Sequence, residues 1–208
     1  MKKIILCIIM VIIHISGASG SGKTTLGNKI KEELGGKVLV KDLDDLFFDF
    51  VKIKEKSKES LEELKKNWKK EYQEFIYDFI NEQMKPIIFV GLNTDLGSIN
   101  IHGNVFKQPR AFYDVRADYK FYIDLSVEKV VEQKFYRSVD KLARRKEMWM
   151  ERYWRDKNRV VSDLKELFDL LEWEKQTDNW NKLYKKHKYQ FMDKRDIYRE
   201  VVKIIKKL

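Results

Sequence analysis

Cysteine and histidine are scarce in this chain of 208 residues, which contains one cysteine and three histidines. The single cysteine, Cys7, excludes a disulfide framework within the chain and fits a reducing compartment, so we expect a cytoplasmic protein. The histidines are scattered and lack the spacing of zinc ligands. His14 lies within an apolar segment, which favours a buried core residue over a catalytic one.

The apolar run near the N-terminus is too short for an ordinary membrane span, so we expect no membrane association. Residues 4–13 follow two lysines and resemble a signal peptide, with small residues at 16–18 after them. Cleavage there would cut the glycine-rich motif described below, so we expect residues 10–15 to form a buried central strand instead. Residues 1–9 are then an extension of that strand or an appendage, and a start of translation at Met10 stays open.

Acidic residues are in the minority: 43 lysines and arginines against 33 aspartates and glutamates give a formal net charge of +10. A basic balance can indicate a nucleic-acid partner. Here the excess is mostly lysine interleaved with glutamate, which is more typical of solvated helix faces. Binding to nucleic acid is therefore an alternative that the composition leaves open but does not favour.

A glycine-rich segment, GASGSGKTT at residues 17–25, matches the phosphate-binding P-loop pattern G-x-x-x-x-G-K-[ST]. An apolar strand pattern precedes it and a helical pattern follows, which is the context that this motif needs and which disfavours a chance glycine-rich turn. Glycines let several backbone N–H groups point at one phosphate, and the following helix adds its positive end. The predicted nucleotide-binding residues are Gly17, Ala18, Ser19, Gly20, Ser21, Gly22, Lys23, Thr24 and Thr25. Lys23 would reach the β- and γ-phosphates, and the Thr24 hydroxyl would hold Mg²⁺.

The rest of the chain alternates strand and helix patterns without a repeat or a low-complexity linker. Further strands are predicted within 37–40, 87–91, 119–125 and 188–192. This pattern predicts one domain over residues 1–208, with a mostly five-stranded parallel sheet between two layers of helices, a three-layer α/β/α sandwich. Residues 46–60 begin with aromatic residues and become lysine-rich, which we interpret as a mobile excursion on the substrate side of the site.

Three carboxylates follow the second predicted strand, where ligands bind in open parallel sheets. They are Asp42, Asp44 and Asp45. One of them is expected to cap the next helix, and Asp45 is the first choice for that role.

The order of these features resembles the P-loop kinases, a group that includes uridine and nucleoside kinases, nucleoside monophosphate kinases and shikimate kinase. The resemblance rests on the P-loop, the Asp-x-Asp at 42–44, an apolar strand ending in Gly91, and the segment FYIDLS at 121–126 before a helix that bears arginines. It implies the P-loop NTPase fold and an ATP- and Mg²⁺-dependent phosphotransferase. The γ-phosphoryl group would move to a small acceptor, a nucleoside or nucleotide first of all.

The same resemblance implies roles for the acids. Asp42 would place Mg²⁺ or act as the base, and Asp44 would contact the acceptor, with Asp45 as its rival. Which of the three is the base stays open.

The resemblance also assigns roles to arginines. A basic stripe at Lys134, Arg137, Lys141 and Arg144 is similar in position to the LID of these kinases, a helical region expected here at about 134–160. Arg137 and Arg144 would stabilise charge on the transferring phosphoryl group. Arg110 and Arg116 lie in the loop after the third strand and would bind the acceptor, since guanidinium groups match acidic or phosphorylated ligands.

Two other functions remain as alternatives. A polynucleotide or RNA 5′-kinase, or another nucleic-acid-associated P-loop NTPase, would explain the charge and the mixture of aromatic and basic residues at Trp149, Arg152, Trp154 and Arg155. A non-catalytic nucleotide-binding protein is the third hypothesis. A GTPase is disfavoured because the guanine-reading Asn-Lys-x-Asp pattern is missing. The acceptor, the base of the donor nucleotide and the oligomeric state stay open.

Overall fold

The computed structural model describes residues 10–94, 98–101, 104–107 and 111–208. The predictions for residues 1–9 and for Arg110 therefore lie outside the described residues. The strands are β1 (Ile12–Ser16), β2 (Leu39–Asp42), β3 (Ile87–Val90), β4 (Ser98–Ile101), β5 (Asn104–Lys107), β6 (Tyr119–Ile123) and β7 (Gln190–Met192). The helices are α1 (Lys23–Leu34), α2 (Leu43–Lys56), α3 (Leu61–Asn81), α4 (Val127–Arg144), α5 (Lys146–Arg155), α6 (Lys157–Leu167), α7 (Leu170–Lys186) and α8 (Lys194–Lys206).

Five strands form one parallel sheet in the order β2-β3-β1-β6-β7. All five residues of β1 are buried, as expected for the central strand of a parallel sheet covered on both faces. The predicted α/β fold with a five-stranded parallel sheet is confirmed. Strands β4 and β5 form a separate antiparallel pair.

Alternate residues of the central strands enter two hydrophobic cores. Ile12 and Phe89 pack on one face with α2 and α3, and Ile13 and Val90 pack on the other face with α1 and α8. This alternation follows from the two-residue period of a strand. It gives the molecule a layer of helices on each side of the sheet, compatible with a three-layer α/β/α architecture.

The segment 46–60 departs from our interpretation of it as a mobile excursion. Residues 46–56 belong to α2, and the buried side chains of that helix lie at the helical spacing of a core-facing stripe, at positions 43, 46, 47, 50 and 51. Phe50 packs against Trp68 and Tyr72 of α3, with ring centroids 5.0 and 5.1 Å apart. The lysine-rich end is also fixed, because the Lys54 amine lies 2.6 Å from the Glu71 carboxylate and 2.8 Å from Glu59.

The arginine-bearing helix expected after residue 126 is followed directly by a second helix, α5. Helix α4 ends at Arg144, its C-cap Arg145 has a φ of −117°, and α5 begins directly after that residue. Helix α4 packs on α7, whereas α5 packs on α6. Within the described residues, no helix combines the length and the apolar character that crossing a membrane would need.

Candidate functional site

A tight turn joins the central strand to α1 and places the glycine-rich loop, residues 17–22, at the carboxyl edge of the sheet. Gly20 and Gly22 adopt left-handed backbone conformations, with φ of 89° and 86°. Other residue types would be strained there. A Cβ atom on Gly22 would also lie 3.2 Å from the Lys194 amine, so α8 approaches the loop closely. The turn leaves the N-terminus of α1, with its unsatisfied N–H groups and positive dipole end, facing the edge of the sheet.

Lys23 begins α1, and its side chain folds back over the loop. The Lys23 amine donates hydrogen bonds to the carbonyl oxygens of Gly17 and Ala18, at 2.9 and 3.0 Å. Burial lowers the pKa of Lys23 to about 8, against the opposing attraction of Asp44 and Asp42. An anion beside this amine would favour its charged form and would replace the two carbonyl contacts.

Asp42 ends β2 and has two partners. One carboxylate oxygen, Oδ2, accepts a hydrogen bond from the Thr24 hydroxyl at 3.1 Å, and Oδ1 accepts from the Asp44 backbone N–H at 3.0 Å. Asp42 is therefore the N-cap of α2, and the cap predicted for Asp45 is wrong. Asp45 is exposed in the first turn of that helix.

The Thr24 hydroxyl and the Asp42 carboxylate together offer the hard oxygen ligands that Mg²⁺ prefers. In the part of the chain that the structure describes, there is no group of three or more His, Cys, Asp or Glu side chains that could hold a metal ion. A magnesium ion here would need further oxygens from water or from phosphate, which is its usual manner of binding.

Asp44 lies in the first turn of α2 and lines the same cavity as Lys23. Burial raises the pKa of its carboxyl group, the negative charge of Asp42 raises it further, and Lys23 opposes both effects. A carboxylate with a raised pKa is a better proton acceptor than an ordinary surface aspartate.

These groups share one cavity of about 310 Å³. Its lining comes from the glycine-rich loop and α1, the β2–α2 junction, the end of β3 and helix α4. The lining residues are Ser19, Gly20, Gly22, Lys23, Thr24, Thr25, Asp42, Asp44, Gly91, Gln133 and Arg137. The cavity thus combines a lysine, two acids and an arginine around a helix N-terminus.

Not every predicted site residue lies at this cavity. Arg137 lines it, but Arg144 pairs with Asp140 one turn earlier on α4, at 2.7 Å. The Arg116 guanidinium stacks on the Tyr77 ring of α3, 3.8 Å from its centroid. Neither Arg144 nor Arg116 is among the residues that line the cavity.

Sequence reasoning missed Gln133 and Lys194, and it gave Lys134 no individual role. Lys134 lies over the loop, with its Cγ atom 3.5 Å from the position of a Cβ on Gly20. Its amine lies 5.2 and 5.7 Å from the ring centroids of Trp173 and Trp180 on α7. Helical spacing identified the basic stripe, but no local signal indicates which members of it reach the loop.

Two further spaces adjoin the site. A cavity of about 330 Å³ lies between α1 and α8 and shares Gly22 and Thr25 with the first cavity. On the α2–α3 side lies a narrow crevice that is mostly apolar and aromatic and has no room for a water molecule. It is lined by Leu43, Phe47, Tyr72, Ile76, Leu92, Asn93, Thr94 and Tyr113.

Comparison of the chain with protein-family models and with curated proteins finds no match.

Proposed function

We propose that this chain is an ATP- and Mg²⁺-dependent phosphotransferase that moves the γ-phosphoryl group to a small acceptor, a nucleoside or nucleotide first of all. One observation carries the proposal. A partly buried lysine, a Thr24–Asp42 oxygen pair and a carboxylate of raised pKa line one cavity at a glycine-rich helix N-terminus. Phosphoryl transfer needs positioning and positive charge more than covalent chemistry, and this set of residues supplies both.

The phosphates of the donor nucleotide would bind at the glycine-rich loop. Backbone N–H groups of residues 17–22 and the N-terminus of α1 would bind the phosphate oxygens, and the Lys23 amine would leave its two carbonyl partners to pair with them. Thr24 and Asp42 would hold Mg²⁺, which neutralises charge on the phosphates when bound. The cavity between α1 and α8 joins the phosphate end at Gly22 and Thr25, so it could receive the nucleoside part of the donor.

The acceptor would bind in the same cavity, beside Asp44 and Arg137. Asp44 would orient the attacking hydroxyl or accept its proton, and Arg137 would stabilise charge on the transferring group. Arg144 takes no part in this proposal, because it does not line the cavity.

A screen of acceptors tests the proposal. ADP formation would be measured with ATP and Mg²⁺ against nucleosides, nucleoside monophosphates and small hydroxy acids. We expect turnover with at least one nucleoside or nucleotide. Asp44→Asn should lower kcat by about 10²- to 10⁴-fold because it removes the proton acceptor. Asp45→Asn, one residue further along the same helical turn, is the matched control and should leave kcat unchanged.

Two results would count against the proposal. Nucleotide binding without turnover across the whole panel would favour a non-catalytic nucleotide-binding protein. Equal loss of kcat in the Asp44 and Asp45 variants would remove Asp44 from the reaction.

A further inference from the structure

Helices α5 and α6 form a helical pair whose residues the proposed phosphotransfer does not use. Helix α5, described over its whole length, has no buried residue, and α6 has only Val160 buried. The pair therefore exposes most of its surface to solvent instead of packing it against the rest of the protein. Such a surface is either a solvated face or a binding site, and the arrangement of its side chains distinguishes these alternatives.

Positive charge is concentrated where the two helices meet. Between residues 152 and 159, four lysines and arginines accompany one acidic residue. Three of the arginines, Arg152, Arg155 and Arg159, line a cavity of about 300 Å³ at the junction of the two helices, together with Asp156, Val160 and Asp163. Asp156 is already occupied as the N-cap of α6, where it accepts a hydrogen bond from the Arg159 backbone N–H at 3.0 Å.

The arginine side chains of this cavity are available to an anion to different degrees. Arg155 pairs with Glu151 one turn earlier on α5. Within the described ranges of the chain, the structure gives no ion pair to the side chains of Arg152 and Arg159, and both residues are exposed. Exposed guanidinium groups without an ion-pair partner are suited to bind phosphate oxygens in a bidentate manner.

An exposed tryptophan lies between these arginines in the sequence. Trp154 is 70% exposed, although tryptophan side chains are large and on average highly buried. The Lys157 amine lies 5.7 Å from its ring centroid and 5.7 Å from that of Tyr153, so the ring sits in a positive environment. Stacking of a base on an exposed ring, with cations nearby for the phosphates, is the way in which proteins bind single-stranded nucleic acid.

We propose that the α5–α6 pair is a binding site for single-stranded nucleic acid, with Trp154 stacking on a base and Arg152, Arg155 and Arg159 contacting phosphates. The site is separate from the cavity at the glycine-rich loop, with which it shares no lining residue. It does not depend on phosphotransferase activity. A nucleic acid could be bound whether or not the loop holds a nucleotide.

Anisotropy of a fluorescein-labelled single-stranded 20-mer, titrated with the full chain at several salt concentrations, tests this site. We expect binding that weakens with salt. Trp154→Leu should weaken it by about tenfold or more, because the base loses its stacking partner, whereas Trp154→Phe should retain most of the affinity. The triple variant R152A/R155A/R159A should reduce the slope of log affinity against log salt by about 2, because each arginine–phosphate pair contributes roughly 0.7 to that slope.

Two control variants show whether the oligonucleotide binds at this surface. The variant K65A/K66A/K69A removes three exposed cations from α3 and should leave both the affinity and the slope unchanged. Lys23→Met should bind the oligonucleotide like the unaltered chain, so failure of the proposed nucleotide site does not affect this test.

Three results would overturn the proposal. The first is that the 20-mer does not bind at low salt. The second is that the α3 triple variant weakens binding as much as the arginine triple variant does. The third is that a duplex of the same sequence, whose paired bases cannot stack on Trp154, binds as tightly as the single strand. Binding of the chain to vesicles rich in phosphatidylserine, with none to the oligonucleotide, would show that the surface recognises lipid instead.

Discussion

His14 in the central strand has both of its ring nitrogens bonded inside the core. Its Nε2 atom lies 3.0 Å from the Gly91 carbonyl oxygen and its Nδ1 atom 2.5 Å from the Tyr189 hydroxyl. A carbonyl oxygen only accepts, so Nε2 carries the proton and Nδ1 accepts from the tyrosine. Burial lowers the pKa of His14 to about 3, so the ring is neutral in the folded protein near neutral pH. The expectation of a core residue rather than a catalyst agrees with this geometry.

This buried ring predicts a pH dependence of stability. In the unfolded chain His14 takes up a proton below its ordinary pKa of 6.5, whereas in the folded protein it does so only near 3. The free energy of unfolding should therefore fall as the pH is lowered from about 6.5 towards 3, by up to about 1.4 kcal/mol per pH unit from this group.

Urea unfolding at several pH values measures this effect. The free energy of unfolding of the unaltered chain is compared at each pH with that of His14→Gln, whose side chain does not titrate. The dependence on pH should be weaker in His14→Gln. His187→Gln, at a partly exposed histidine, should keep most of it. Identical slopes for the unaltered chain and His14→Gln would contradict the assignment.

Some site residues could be predicted from sequence because their neighbours in space are also neighbours in the chain. Lys23 and Thr24 follow directly from the glycine-rich motif, and Asp42 follows from the end of a strand. Gln133 and Lys194 reach the loop only because α4 and α8 pack beside it, which no local pattern encodes. The choice of Asp45 as the cap is wrong because α2 begins directly after β2, so that Asp42 at the end of the strand is the N-cap.

At the scale of elements, the buried strands were the most predictable part of the chain. A parallel strand covered on both faces is apolar throughout, which β1 and β3 satisfy. Helix α2 was not recognised, because the lysines after Val51 obscured a regular apolar stripe that ends there. The break at Arg145 has neither glycine nor proline to mark it, and it follows from the different packing partners of α4 and α5.

Two phenylalanines of α2 test whether this segment belongs to the core. Phe50 is 3% exposed, whereas Phe48, two residues earlier, is 52% exposed. Phe50→Ala should lower the free energy of unfolding by about 3–5 kcal/mol because it leaves a cavity among Trp68, Tyr72 and Phe75.

The matched variant Phe48→Ala should cost less than about 1 kcal/mol, because most of that ring is already in water. Denaturant midpoints of the two variants give the comparison. Small and equal losses would mean that the segment is the mobile excursion that its composition suggested.

At the scale of the whole molecule, the order of strands brings the site together. Placing β3 between β1 and β2 sets Gly91 and Asp42 beside the glycine-rich loop, although these residues are far apart in the sequence. Helix α7 then links two sides of the site. Trp173 and Trp180 hold Lys134 over the loop, and the Tyr184 hydroxyl donates to the Asn93 side chain at 2.7 Å. Such long-range placement is what the sequence pattern could not supply.

Calorimetric titration with ATP and Mg²⁺ measures directly whether the loop at residues 17–22 and Lys23 bind the phosphates of a nucleotide. The unaltered chain should bind, and Lys23→Met should bind at least tenfold more weakly, since it lacks the charge that pairs with the phosphates. Lys31→Met, at an exposed lysine on the same helix, should bind like the unaltered chain.

Affinity of the unaltered chain should also fall above pH 8, because the free Lys23 amine has a pKa of about 8 and must be charged to bind phosphate. That decline should be absent in Lys23→Met. Tight binding by the unaltered chain that depends on Lys23 and weakens above pH 8 is the predicted result; no binding, or equal affinity in the unaltered chain and Lys23→Met, would contradict it.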